Sequence, residues 1–555
     1  IGGVETSIPM GKPTITERTD WRIRFTGTAE GAGLTFAATG WMEQDGMVGV
    51  ELIYAPKDGQ PLTVDALRIE YPVAGDVAEC LASVGPGNNF AAMTATVLPA
   101  QKQGRLWTTF DTGRPGAQMQ VGSFYPHVWL GNERRGFQWW ADSDKGWFPD
   151  NDIPAHEVTR DGSAVVLINH IIGKPVQLSG ARTMAFTWIA SPFKPLPKGW
   201  RMFAATEDGT FSVPHRGTRI NPKTGKKYLQ RGIANWINPE SYDPAEWGTL
   251  WAEQKAKADA FVQQRRAFDL FGARSSVFWQ HMSFQLIGWG RKSMEDDVFK
   301  YFGDEWLDKG LDTWNPSYRD YAMHLLNRAF SEGGVVSTYW DLSFPILFAS
   351  PLSGLSYQLP DGRWQPGYNT LNCRRFFQRL WAVQDANGLN PGCTGTHSTQ
   401  AYIFPALPWI DAVLDGERDW NIDVSDQDWV DYYPKERMRA MSVPHTWGVG
   451  ICWMSNFSTN DATKKLRAKT SQAEYVWMHD SWINPYLVYA TAARMPDTIL
   501  DWGMNNPDVT YTPYWRNPHV TSKDPELLVS LWTIPGEGAA RVLLGIFNYN
   551  RKTAK

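Results

Sequence analysis

Residues 333–345 read Gly-Gly-Val-Val-Ser-Thr-Tyr-Trp-Asp-Leu-Ser-Phe-Pro. Two glycines follow a helix-like segment, β-branched and aromatic residues come next, and the run ends at a lone carboxylate, Asp341. That order predicts a buried parallel strand that carries an acid to its C-terminal end, where the working residues of α/β barrels gather. An aspartate at such a position can also cap a turn or begin a helix. Residues 409–417, Trp-Ile-Asp-Ala-Val-Leu-Asp-Gly-Glu, repeat the pattern. An apolar run there releases Asp415 and Glu417 around a glycine that lets the chain turn. Two strand ends bearing acids are the minimum equipment for glycosidic chemistry.

Helical and strand-like stretches alternate on both sides of these segments. Asp243–Phe271 has helical spacing of Trp247, Trp251, Ala258 and Val262, with Pro244 in the first turn. Ser276–Phe284 reads as a strand and Tyr318–Phe330 as a helix; Asn369–Ala386 is a second helix, and Gly392–His397 a strand ending in histidine. Trp409–Leu414 and Thr446–Ser455 read as further strands, with a short helix at Pro434–Met441 between them. Helix–strand alternation predicts parallel βα units closing into a (β/α)8-like barrel.

The N-terminal third differs. Trp21–Thr26, Gly33–Met42, Gly49–Tyr54, Ala66–Tyr71, Arg105–Asp111, Ser163–Ile172 and Thr183–Ala190 are short, partly alternating runs split by turn residues, the pattern of a β-sandwich. Residues 128–147 predict a hairpin turning at Asn132–Gly136, with an exposed Trp139-Trp140 pair beside Asp142 and Asp144. Ser191–Gly199 carries three prolines and reads as a stiff linker. Leu527–Thr533 and Ala540–Tyr549 return to strand character around a Pro-Gly-Glu-Gly turn. The expected fold is multidomain β and α/β: a β-sandwich over 1–195, a linker over 196–229, a barrel over 230–495 and a small C-terminal β-domain over 496–555. The last has too few strands to bury a core alone, so it packs on the barrel or is truncated.

Composition narrows the function classes. The net charge is −4, from 54 Lys+Arg against 58 Asp+Glu, and there is no basic block, which argues against a nucleic-acid partner. No apolar run approaches the roughly 18 residues of a membrane-spanning helix. The chain opens Ile-Gly-Gly-Val without an initiator Met, compatible with a removed leader; the expected location is extracellular or periplasmic. Cys80, Cys373, Cys393 and Cys452 show neither zinc-ligand spacing nor a disulfide framework. Twenty-nine tryptophans, however, exceed what a core requires, and flat rings suit the faces of sugars, although Trp-rich β cores account for part of them.

Three stretches together resemble glycoside hydrolase family 123: Trp-Leu-Gly-Asn-Glu followed by Gly-Phe-Gln-Trp-Trp-Ala-Asp-Ser-Asp-Lys-Gly-Trp within 129–147, Ser-Pro-Phe-Lys-Pro-Leu-Pro at 191–197, and Tyr-Trp-Asp at 339–341. The resemblance is tight only in the N-terminal part. It implies a β-sandwich, a catalytic barrel, a small C-terminal β-domain and exo-acting hydrolysis of β-linked N-acetylgalactosamine. It also implies an adjacent Asp-Glu pair, the Asp orienting the substrate's own acetamido group and the Glu acting as general acid. Here Asp341 is followed by Leu342, and the Asp-Glu dipeptide of the chain, Asp304-Glu305, has the look of a helix start.

From the residues themselves, Asp341 and Glu417 are the first-choice acid–base pair, with Asp415 as the other partner. His397 ends its own strand and could bond a sugar hydroxyl, or be satisfied within a loop. Tyr339, Trp340, Trp453 and Trp482 form a sugar platform or belong to the barrel core. Arg374 and Arg375 could meet a uronate or sulfate, or be solvated on a helix surface. The expected activity is glycoside hydrolysis; the alternatives are a non-catalytic carbohydrate-binding protein and a polysaccharide lyase using Tyr339, Tyr402 or His397. The expected partner is a carbohydrate.

No H-x-x-x-H, C-x-x-C or EF-hand spacing occurs, and two acids suffice for the chemistry, so no metal or other cofactor is expected, although a calcium ion could still hold a loop near Asp142 and Asp144. Turnover of a glycan substrate is therefore expected to survive chelator treatment; loss of turnover without unfolding, followed by circular dichroism, would contradict this.

Overall fold

The computed structural model describes residues 1–86, 91–113, 120–196 and 354–389, most of 393–483 and 502–549, and short stretches between 200 and 348 that include 279–283 and 337–341. The chain forms two compact units: Ile1–Lys194 with Pro345–Leu371, and Pro195–Phe344 with Asn372–Lys555. The segment Pro345–Leu371, inside the span read as barrel, thus clusters with the N-terminal unit.

That first unit is a β-sandwich. Its larger sheet has nine strands in the order Thr14–Arg18, Arg22–Gly31, Leu34–Glu43, Val48–Pro56, Arg182–Ser191, Gly136–Trp140, His127–Gly131, Cys80–Pro86, Ala91–Val97. The smaller has four: Leu67–Ala74, Ala164–Ile172, His156–Asp161, Gly104–Thr108. Local chemistry fixes the turns. Arg22–Gly31 meets Leu34–Glu43 across Ala32 and Gly33, both at positive φ (49° and 76°), the two-residue turn whose twist matches its strands. At Asn132 the side-chain oxygen accepts the amides of Arg134 (3.0 Å) and Arg135 (3.2 Å), closing the predicted hairpin.

Val128, Leu130, Trp139 and Met184 of the larger sheet meet Trp107, Val158, Val165 and Leu167 of the smaller in one apolar core. Trp139 and Trp140 are both fully buried, so the exposed aromatic pair expected there does not exist. Strand alternation sends them to opposite faces. Trp139 packs edge-on against Phe124 in the core, and Trp140 donates its indole N–H to Asp142 at 3.1 Å.

The second unit contains a six-stranded parallel sheet in the order Trp279–Ser283, Ser337–Asp341, Cys393–His397, Ala412–Asp415, Gly450–Trp453, Trp482–Ile483. Each strand lies beside the next in the chain, as successive βα units dictate. Closure into the expected eight-stranded barrel lies outside the described residues, as do the helix expected at Asp243–Phe271, Asp304-Glu305 and Glu417. The helix Thr370–Ala386 buries Cys373, Phe376, Phe377, Leu380 and Gln384 on one stripe, and Phe376 meets Trp340 edge-on at 4.7 Å between ring centroids.

Several elements differ from the sequence expectation, among them the strand expected at Arg105–Asp111, which stops at Thr108. Trp409 belongs to a 3-10 turn, Phe404–Trp409, because Pro405 and Pro408 cannot donate to a strand ladder. Thr446 sits in a short helical turn, Pro444–Trp447, closed by Gly448 at φ 78°, and the strand starts only at Gly450. A helix that the sequence did not suggest, Ala462–Trp477, begins where Asp461 accepts the amides of Thr463 and Lys464.

The C-terminal sheet, Thr510–Thr512, Leu527–Ile534 and Arg541–Asn548, is antiparallel. Too small for its own core, it shares one: Trp532 stands 4.9 Å from Trp477, among Trp482, Trp200, Ile499 and Ile534. Trp139→Ala in the sandwich core should cost about 3–5 kcal/mol of stability, against less than about 0.5 kcal/mol for Trp21→Ala at the surface. Denaturant unfolding followed by circular dichroism checks the contrast.

Candidate functional site

The parallel register decides which side chains can meet. Trp340 is paired with Thr396, so Asp341 and His397, one residue on, both end their strands at the same edge. His397 in turn pairs with Leu414, the residue before Asp415, and Asp415 pairs with Trp453. Three neighbouring strands therefore release Asp341, His397 and Asp415 at adjacent C-terminal positions. The row is one of strand ends: Leu414, not Asp415, is level with His397, so by the two-residue side-chain period Asp415 leaves its strand on the face opposite to His397.

Short polar contacts pin the edge. Ser343 donates its amide to the His397 carbonyl at 2.7 Å and its hydroxyl to the Trp340 carbonyl at 3.0 Å, turning the chain back just after Asp341. Ser398 donates its amide to the Leu414 carbonyl at 2.9 Å, and Met454 donates its amide to the Asp415 carbonyl at 2.7 Å. Gly416 has φ 92°, and a Cβ there would stand 2.8 Å from the Met454 carbonyl, so glycine is required where the strand ends.

Asp415 is fully buried. Its Oδ2 accepts the Tyr402 hydroxyl at 3.0 Å and its Oδ1 the Gly416 amide at 2.7 Å. Burial, and then the adjacent Asp415, push the Tyr402 hydroxyl well above the ordinary phenol range, so Tyr402 remains a donor. Tyr402 arrives from the loop before the 3-10 turn, and no local sequence signal ties it to an acid 13 residues ahead.

The remaining sequence candidates are placed as follows. Trp340, Trp453 and Trp482 are buried at 2%, 0% and 5% exposure. The Trp340 indole donates to Thr338 at 3.0 Å, and Trp453 packs edge-on against Trp429 and Tyr433. His397 is 3% exposed. Arg374, expected on a polar helix face, is 2% exposed and donates to the Pro405 carbonyl at 3.0 Å, so it stitches the helix to the 3-10 turn. Tyr339 lies within the Ser337–Asp341 strand. Among the described residues no group of three or more His, Cys, Asp or Glu is placed to hold a metal ion. Asp142 and Asp144, the candidate calcium loop, are instead occupied by protein donors.

No family model matches the chain, and no curated protein matches it. Among solved structures it is similar to the GH36 alpha-galactosidase AgaA from Geobacillus stearothermophilus, at 10% identity and a TM-score of 0.40, over 96% of this chain and 78% of that one. It is also similar to the alpha-N-acetylgalactosaminidase NagBb from Bifidobacterium bifidum, at 11% identity and a TM-score of 0.30, over 98% and 92%. A third similarity is to the alpha-galactosidase from Lactobacillus brevis, at 8% identity and a TM-score of 0.30, over 96% and 77%. None of these likenesses bears on individual residues or on substrate.

Removing the Tyr402 hydroxyl leaves one buried Asp415 oxygen without that donor. Tyr402→Phe should cost about 1–3 kcal/mol, read as a lowered denaturant midpoint with an unchanged slope.

Proposed function

We propose that this protein is a glycoside hydrolase acting on a poly- or oligosaccharide, with carboxylate acid/base catalysis at the C-terminal edge of the parallel sheet. The observation that carries the reading is the register that ends three adjacent strands at Asp341, His397 and Asp415. Hydrolysis of a glycosidic bond needs one acid to protonate the leaving oxygen and a second group to attack or to activate water. Asp341 takes one role. Its partner is Glu417, two residues beyond the Ala412–Asp415 strand, or Asp415 itself; His397 bonds a sugar hydroxyl beside them. The tight N-terminal resemblance to family 123 makes β-linked N-acetylgalactosaminides the first substrates to try, although Leu342 leaves no acid directly after Asp341. The site of action on this reading is extracellular or periplasmic.

One observation favours a second reading, a carbohydrate-binding protein without turnover: Asp415 is enclosed and already accepts bonds from Tyr402 and Gly416. Product analysis separates the readings. A new reducing end indicates a hydrolase, binding without release a lectin-like protein, and an unsaturated, ultraviolet-absorbing end a lyase.

Asp341→Asn keeps the side chain's shape and removes its charge. Turnover should fall at least about a hundredfold with folding and sugar binding retained, measured by reducing-end release and by isothermal calorimetry. Full activity in the variant would end the assignment of Asp341.

A further inference from the structure

The N-terminal unit holds two aspartates, half-buried Asp142 and buried Asp144, that treat the same returning segment differently. Asp142 meets four donors: the Trp140 indole at 3.1 Å, the Thr370 amide at 3.1 Å, the Leu371 amide at 2.9 Å and the Thr370 hydroxyl. Its carbonyl accepts the Tyr368 amide at 2.6 Å. Four donors saturate a carboxylate in its ionised form.

Asp144, 1% exposed, meets only two side-chain donors besides its own backbone amide, and all three are neutral. Gln365 donates to Oδ2 at 2.8 Å, and the Tyr357 hydroxyl lies 3.1 Å from Oδ1 and 3.4 Å from the Asp144 carbonyl. Among the described residues no Lys, Arg or His forms an ion pair with it, and an unpaired charge in such a site is costly. The neutral carboxyl fits better. Its O–H donates to the Tyr357 oxygen, Tyr357 donates onward to the Asp144 carbonyl, and Gln365 still donates to the other oxygen.

Both partners sit on one small hairpin, where Tyr357–Gln358 pairs with Trp364–Gln365 around a turn at Asp361-Gly362. Gln365 also exchanges two bonds with the Val121 backbone, each 2.9 Å. We propose that Asp144 is a proton-operated latch for this hairpin: it holds residues 355–365 against the sandwich while protonated and weakens that hold when ionised.

The groups facing it are few. Tyr357 and Tyr368 stay neutral, burial pushing both up. Arg182 acts on Tyr357, but spends its donors on the Gly146 and Trp147 carbonyls. Tyr125 acts only through Tyr368, its own hydroxyl also raised by burial. Asp142 is saturated, and Arg363 at the hairpin tip pairs with Asp361. Burial raises the Asp144 carboxyl to about 7, with the Gln365 and Tyr357 bonds lowering it in part. Since the closed form keeps its proton above the ordinary carboxylate value, the closed-to-open ratio falls about tenfold per pH unit from about 4 to about 7 and then levels.

Hydrogen–deuterium exchange on the full chain tests this, with rates corrected for intrinsic exchange and the Ala164–Ile172 strand as internal reference. Protection of 355–365 should fall at least roughly tenfold between pH 5.5 and 8.5 while the reference strand holds. Asp144→Asn, a neutral isostere, should remove the fall, and Tyr357→Phe, which takes a donor from the ionised carboxylate, should lower protection more at pH 8.5 than at pH 5.5. A flat wild-type profile overturns the proposal, and so does an equal fall in Asp144→Asn. Should that variant not fold, a Tyr357→Phe profile no steeper than that of the wild type overturns it instead.

Discussion

A carboxylate taken out of water must be met by donors or a cation, or it keeps its proton. Asp142, Asp144, Asp415 and Asp480, buried or half-buried, answer that constraint differently, and much of the fold follows from the answers. Asp480, held at φ 60°, accepts Arg201 through Nε at 3.0 Å and Nη2 at 2.7 Å, and the Trp532 indole at 2.8 Å. Burial alone would raise it, but Arg201 and His445 hold it below its ordinary value. Its contribution is therefore present above the ordinary carboxylate value and lost as pH falls through the lowered one. Residues 201, 480 and 532 are far apart in sequence, so this one bidentate pair fastens the start of the second unit and its terminal sheet to the chain ahead of Trp482.

Asp142 uses neutral donors alone, four of them, two from the first turn of a long helix. Amides there are unpaired within the helix and favour a carboxylate. Asp144 has too few donors to stay ionised at low cost. Asp415 accepts the Tyr402 hydroxyl on one oxygen and the Gly416 amide on the other, and lies where three parallel strands end. Location, more than environment, sets it apart: the other three fasten segments, whereas Asp415 ends a strand next to the one ending at His397, one residue past its level.

How much of this was legible in the sequence depends on the range of the interaction. Period-two runs and turn residues marked Leu34–Glu43, Val48–Pro56, Ala164–Ile172 and Arg182–Ser191 within a residue or two, because alternation and glycine placement are local. Thr14–Arg18, Cys80–Pro86, Ala91–Val97 and His156–Asp161 escaped; in Cys80–Pro86 and Ala91–Val97 the small residues give no contrast between faces. The helix Ala462–Trp477 escaped because its polar residues outnumber the apolar ones, although Asp461 was a readable cap. Trp139-Trp140 looked exposed because nothing local says what covers a strand. The segment 345–371 was placed with its sequence neighbours, since its attachment depends on Asp142 and Asp144, more than 200 residues earlier. Tyr402 and Arg374 were likewise misjudged or weighed for another role, because their partners are backbone and side chains supplied by tertiary folding.

The acids at the strand ends were visible for a different reason. A buried parallel strand tolerates a carboxylate only where it stops, since within the sheet both faces are covered. An apolar run that breaks at an aspartate is thus already a statement about position, and Ser337–Asp341 and Ala412–Asp415 both end there. What sequence cannot supply is the relative register of two strands separated by some seventy residues. That comes from pairing through Cys393–His397, whose small residues Thr394, Gly395 and Thr396 let the neighbouring strands align without competing bulk. On the proposed reading, chemistry at this edge would rest on that intervening strand, because a glycosidase needs its two acids at a fixed separation, and a strand carrying no acid would fix it.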